Sequence, residues 1–315
     1  MKTSFAAWSF RTWIQCARTV SLASALLLTV PGWSQTAAPP RPGSINYLDG
    51  QASIGANVIS PDAVGSLVLE RDQTLTTQAG KVEMLLTPGV FLRLAENSSV
   101  KMISPDLANT RVELEKGRAL VEVVGIRKEN DLRIDQNGAS TKLLKDGLYG
   151  FDADHAQVRV FKGKADLYIA RETVTLKGKR QVTLNAGGKP KPEEFETRAF
   201  EDDFYRWNAL RSGYLSEASV SAANAYIGVG PGWYGPGWTG FGWYWDPWFG
   251  SYTFLPGNGI YYGGFGWGYY SPRAVYGSPY RYYRGYPHHF GDFHYPYGHG
   301  YPRPGGGRPG GGRRR

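Results

Sequence analysis

Val82-Glu83-Met84-Leu85-Leu86, the corner Pro88-Gly89 and Val90-Phe91-Leu92-Arg93-Leu94 decide the fold. Apolar and polar residues alternate through both runs, the period of a strand whose two faces see different surroundings. The pattern returns in Arg111-Val112-Glu113-Leu114, Leu120-Val121-Glu122-Val123 and Val158-Arg159-Val160-Phe161. It returns again in Ala165-Asp166-Leu167-Tyr168-Ile169 and Gln181-Val182-Thr183-Leu184. Ala79-Gly80-Lys81, Lys116-Gly117-Arg118, Asp146-Gly147, Lys162-Gly163-Lys164 and Lys177-Gly178-Lys179 separate these runs. Glycine turns the chain there and the cations keep the corners wet. Residues 44–188 thus read as an all-β domain of short, half-buried strands: sandwich, barrel or solenoid. Only six aromatics lie between 35 and 190, so its core is expected to consist of Val, Leu, Ile and Ala.

Taken in order, Gly80–Gly89, Val90–Leu94, Asn97-Ser98-Ser99-Val100, Val112–Gly117, Val158–Gly163 and Gln181–Leu184 resemble the FecR domain, roughly over residues 50–188. The resemblance implies an exported, mainly β module of solenoid or sandwich type. In the best-known FecR proteins that module relays a signal from an outer-membrane receptor to a sigma factor. The steps of the resemblance do not include the sigma-factor-binding or receptor-contacting parts of those regulators.

Composition divides the chain. Of its 36 basic and 27 acidic residues, residues 35–228 hold 25 of each, so the net +9 belongs to the ends. Lys2, Arg11 and Arg18 precede an apolar run from Thr19 to Val30, then Pro31-Gly32 and the small Ser34. That order is a secretory signal over residues 1–34, with mature protein expected from Gln35 in the periplasm, outside the cell or at its surface. The run is too short for a membrane-spanning helix. The one cysteine, Cys16, lies inside this leader, which excludes a disulfide framework, a cysteine metal centre and thiol chemistry in the mature chain. Residues 35–43 are a Pro-rich linker.

Beyond the strands, residues 193–227 read as a helical segment. Phe200, Phe204, Trp207, Tyr214, Ala218, Ala222 and Ala225 fall near one face, and Gly213 weakens the middle and is a candidate point for a split. Asp202 and Asp203, with Glu193, Glu194 and Glu196, are read as charge at a helix start rather than a metal site. Residues 35–228, holding every alternating strand and this helix, are expected to fold alone. Residues 228–270 are rich in Gly, Pro, Trp and Tyr, which opposes a regular helix or a central strand. Residues 271–315 read as a disordered Arg/Tyr/Gly-rich tail.

No catalytic constellation, phosphate loop or dinucleotide fingerprint stands out, no cofactor is implied, and the chain is read as non-enzymatic. The candidate binding residues are aromatic: Trp233, Trp238, Trp243, Trp245, Trp248 and Trp267, whose faces stack on sugars, on other rings or on Arg. His288, His289, His294 and His299 form a weak metal candidate. The expected partner is an envelope protein or polysaccharide, with a membrane surface as a further candidate. Export disfavours nucleic acid, and homo-oligomerisation is left open. The first reading is a binding or scaffold module at the cell envelope. The alternative is a periplasmic signalling component of FecR type, and an enzyme acting on envelope polysaccharide comes last.

Overall fold

The computed structural model describes residues 39–184, 190–228 and 241–276. The leader, Trp233, Trp238, the four tail histidines and residues 277–315 lie outside that range.

Fifteen strands form one sheet. They are β1 (Ile45–Ile54), β2 (Asn57–Val58), β3 (Thr74–Leu85), β4 (Val90–Leu94), β5 (Ser99–Asp106), β6 (Asn109–Lys116), β7 (Arg118–Val123) and β8 (Arg133–Gln136). Then come β9 (Ala139–Leu143), β10 (Gly147–Asp152), β11 (Gln157–Lys162), β12 (Lys164–Ile169), β13 (Glu172–Lys177), β14 (Arg180–Thr183) and β15 (Glu193–Glu194). A long helix follows, α1 (Asp203–Gly228), with two antiparallel hairpins, β16 (Gly242–Asp246) with β17 (Ser251–Leu255) and β18 (Ile260–Tyr262) with β19 (Gly268–Tyr270). The short α2 (Pro272–Tyr276) ends the described chain.

The strand order is β13-β12-β9-β8-β6-β5-β3-β4-β7-β10-β11-β14-β15, with β1 lying on β3. The sheet folds over at β3. The first residues of β3 pair with β5, and its last four pair with β4. The order does not close, so there is no barrel. Instead the inner faces of the two halves enclose one core. Val100, Met102, Val112, Leu114, Ile134 and Leu167 enter it from one half; Met84, Leu92, Val121, Tyr149, Val160 and Val182 enter from the other. This is the sandwich-like arrangement, built chiefly from aliphatic residues as the sequence implies.

Three features depart from expectation. Gly80 is no corner: β3 runs straight through it as one 12-residue strand. Gly80 lies in register with Gly50 of β1, and a Cβ there would stand 2.4 Å from the Gln51 nitrogen and 2.8 Å from the Asp49 oxygen. Glycine is thus needed for close approach of two backbones. Gly80→Ala is expected to cost about 1–3 kcal/mol through overpacking, read as a lower midpoint in thermal melting.

Gly213 does not split α1, which is one continuous 26-residue helix. A Cβ on Gly213 would meet the Trp267 ring at 3.3 Å, so the small residue seats an indole. The third departure is the aromatic segment, whose Gly and Pro leave room for two short hairpins. Gly250 and Gly259 take positive φ, and Gly266 does so within the β18–β19 connection, while aromatic side chains supply the burial that short strands need.

Candidate functional site

The outer faces of the two halves are treated differently. Every residue of β4 and β10, and all of β7 except Arg118, is buried. Residues that alternation would send to water are sealed instead beneath α1 and the hairpins. Leu85, Phe91 and Val124 of the sheet pack with Leu215 of α1 and with Tyr252, Phe254 and Tyr269 of the hairpins. Phe91 stacks on Tyr269 at 6.1 Å.

A charged network lies within this covered layer. Glu83, Arg93 and Glu122, from adjacent strands β3, β4 and β7, have no exposure, and Arg211 of α1 has 5%. Arg93 donates from Nε to Glu83 Oε2 at 2.6 Å and from Nη1 to Glu122 Oε2 at 3.0 Å. Arg211 Nη2 donates to Glu83 Oε1 at 2.8 Å, and its guanidinium lies 4.0 Å from the Tyr47 ring centroid. Ser212 Oγ donates to Glu122 Oε1 at 2.7 Å. Asn46 Nδ2 donates to Glu83 Oε1 and to the Tyr252 carbonyl, each at 2.8 Å, and Asn46 Oδ1 accepts from the Tyr252 nitrogen at 2.7 Å. Two cations thus balance two carboxylates while hydrogen bonds join sheet, helix and first hairpin.

Burial raises the pKa of Glu83, but the charges of Arg211 and Arg93 outweigh it and hold the carboxyl below the usual range. Burial lowers the pKa of Arg93, and Glu83 and Glu122 more than reverse this. Burial pushes the Tyr269 phenol well above its ordinary value, and Glu122 adds to the rise. All three groups are thereby held in their ordinary charge states. Among the described residues, the buried Arg93 Nη2 and Arg211 Nε have no hydrogen-bond partner. The arrangement specifies how cover meets sheet; its carboxylates are out of reach of a polymer and are locked in ion pairs.

The buried face of α1 differs from the predicted apolar stripe. Phe204, Ala218 and Ala222 are buried, whereas Tyr214 and Ala225 are exposed. Asn208, Arg211, Ser212, Ser216 and Ser219 complete the buried face. Arg211 and Ser212 are drawn inward by Glu83 and Glu122 of the sheet beneath, while Ser216 donates to the Gly268 carbonyl and Ser219 accepts from the Tyr270 nitrogen of the second hairpin. Asp202 accepts from the Tyr205 nitrogen at 2.9 Å and pairs with Arg118 at 2.5 Å, which caps α1 and ties its start to β7. His155 holds Asp152 at 3.0 Å in an exposed corner.

The described aromatic candidates divide as well. Trp243 and Trp245 are half-buried against the covered layer, and Trp267 is half-buried beside Gly213. Trp248 stands apart at 88% exposure. It occupies the β16–β17 turn, where Asp246 Oδ1 accepts from the nitrogens of Trp248 and Phe249 at 2.9 and 3.1 Å. The turn is braced from within, and the indole is held out from it.

Among known proteins, residues 72–166 match the family model described as FecR protein, inside the span the sequence resemblance marks. Two crystal structures of a proposed anti-sigma factor from Parabacteroides distasonis ATCC 8503, at 1.65 and 2.50 Å, are similar at 14% and 15% identity. Each match covers 40% of this chain and 61% of that one, with a TM-score of 0.35. No curated protein matches. Among the described residues, no helix is long and apolar enough to cross a membrane.

Proposed function

We propose that this chain, whose residues 72–166 match the FecR family model, is an exported, non-enzymatic regulatory module that works by binding a partner at the cell envelope. The family match carries the regulatory reading, because the matched strands make up most of both halves of the sandwich. Export rests on the leader pattern of residues 1–34. The contact role falls to Trp248, an exposed indole on a braced turn, and single aromatic anchors of this kind dominate binding at many interfaces. The scaffold reading shares the contact and lacks the signal.

The test is genetic. Removing the protein from its native host is expected to change a defined set of transcripts, and restoring the wild-type chain should reverse the change. A Trp248→Ala chain should fold, be exported and fail to restore the response. Unchanged transcripts with altered envelope attachment would favour the scaffold reading, and full rescue by Trp248→Ala would remove the contact role.

A further inference from the structure

The sheet half that no described element covers carries a second arrangement of charge. Strands β6 and β8 run parallel and place Arg111 opposite Arg133; the β8–β9 register then places Lys142 opposite Arg133. Three cations thus lie in one row across neighbouring strands, which are about 4.8 Å apart. Like charges directly opposite each other destabilise a sheet. The neighbouring row is mixed, with Lys101 opposite Glu113 and Glu113 beside Asp135. Arg71, from the turn before β3, joins Arg111 and Arg133 along an open cleft of about 490 Å³ that Ser104, Asp106 and Asp131 also line.

The carboxylates in and beside the cleft are already engaged. Asp135 accepts from Arg111 Nε at 2.5 Å. Asp131 accepts from Arg133 Nε at 3.0 and 3.1 Å, and Lys142 stands 3.0 Å from it. Asp106 accepts from Ser104 at 3.1 Å and lies 3.5 Å from Arg71, whose Nη1 donates to the Ile103 carbonyl at 2.8 Å. Three cations, Arg71, Arg111 and Arg133, and two carboxylates, Asp106 and Asp131, line the cleft itself, while Lys142 lies outside the lining, opposite Asp166. Arg111 and Arg133 engage Asp135 and Asp131 through Nε alone. Each guanidinium has five donors, so the terminal amino groups of two neighbouring arginines remain available on the wall of a cleft. The Arg133 guanidinium also lies 5.2 Å from the Tyr168 ring centroid, a contact that helps hold its plane.

We propose that this cleft binds an oxyanion, with Arg111 and Arg133 as a paired fork and Arg71 closing the third side. Planar guanidiniums take phosphate and carboxylate oxygens two at a time, which an ammonium cannot do. The oxyanion is borne by an envelope polymer, as a phosphate diester or as a sugar carboxylate. Its site is remote in sequence from Trp248 and does not depend on the contact role given to that residue.

Titrating the chain with inorganic phosphate and, separately, with trigalacturonate tests this, with the arginine side-chain nitrogens followed by NMR. Saturable shifts of the Arg111 and Arg133 terminal nitrogens are expected with at least one probe, at a Kd of about 1 mM. Saturation by phosphate alone assigns a phosphate source, and by trigalacturonate alone a carboxylate source. The Arg111→Ala/Arg133→Ala double variant should weaken binding at least about tenfold, with Arg180→Ala as an unaffected control. Should the double variant fail to fold, Arg111→Lys/Arg133→Lys keeps the charge and removes the fork, and it too should bind more weakly. Absence of saturation with both probes, or a folded fork variant binding as tightly as wild type, overturns the proposal.

Discussion

Arg93→Met is expected to cost about 3–5 kcal/mol, because it leaves Glu122 buried with a serine as its remaining network partner and takes one of two cations from Glu83. That is a large share of the roughly 5–15 kcal/mol that holds a domain together, and urea denaturation will show it as a lower midpoint. Adding Glu122→Gln should return part of the loss, since it removes the stranded charge. A single variant near wild-type stability would mean that the network contributes little. Acid should act on the same cluster. The folded pKa of Glu83 lies below its ordinary value because Arg211 and Arg93 outweigh burial. The unfolded chain therefore takes the proton first. The stability that Glu83 contributes is present in full above its unfolded value and is lost as pH falls through its folded one. Denaturation midpoints measured from pH 7 downward should begin to drop near pH 5 in wild type and drop less in Glu83→Gln.

Ending the chain after Gly228 is expected to abolish a cooperative melt. The loss includes Tyr252, Phe254 and Tyr269, all buried against Leu85, Phe91, Val124 and Leu215. At about 1.5–3 kcal/mol each, these three account for roughly 5–9 kcal/mol. The Asn46–Tyr252 hydrogen bonds go with them, as does the bond from Thr253 to the Leu215 carbonyl. The independent folding that the sequence suggests for residues 35–228 thus conflicts with the burial seen here. A chain spanning residues 35–228 should bind a hydrophobic dye and melt broadly, while one extended to residue 276 should melt sharply. Equal, sharp melts for the two would show that the hairpins are dispensable.

The strands and most of their corners were legible because both follow local rules. Val90 to Leu94 alternates, and positive φ at Gly89, Gly117 and Gly163 is what those turns demand. Gly80 misled because glycine serves a corner and a close backbone approach alike, and the second use depends on β1, some thirty residues earlier. For the helix, the aromatic stripe was a weaker guide than Ser212, Ser216 and Ser219, small polar residues at helical spacing of which the first meets Glu122 and the other two the backbone of the second hairpin. The pairing of Trp267 with Gly213 has no local signature.

By itself the sequence determined the all-β domain, its aliphatic core, the charge balance of the middle and the resemblance to FecR, since period, turn chemistry and composition act over a few residues. Tertiary structure alone decided which strand faces meet water. Glu83, Arg93 and Glu122 sit at positions that alternation assigns to solvent, and they are dry because Arg211, 128 residues beyond Glu83, arrives above them. On the other half, Arg111 and Arg133 became neighbours only through a parallel pairing that no local pattern announces. Alternation tells which side chains share a face, and what covers that face depends on contacts between residues far apart in the chain.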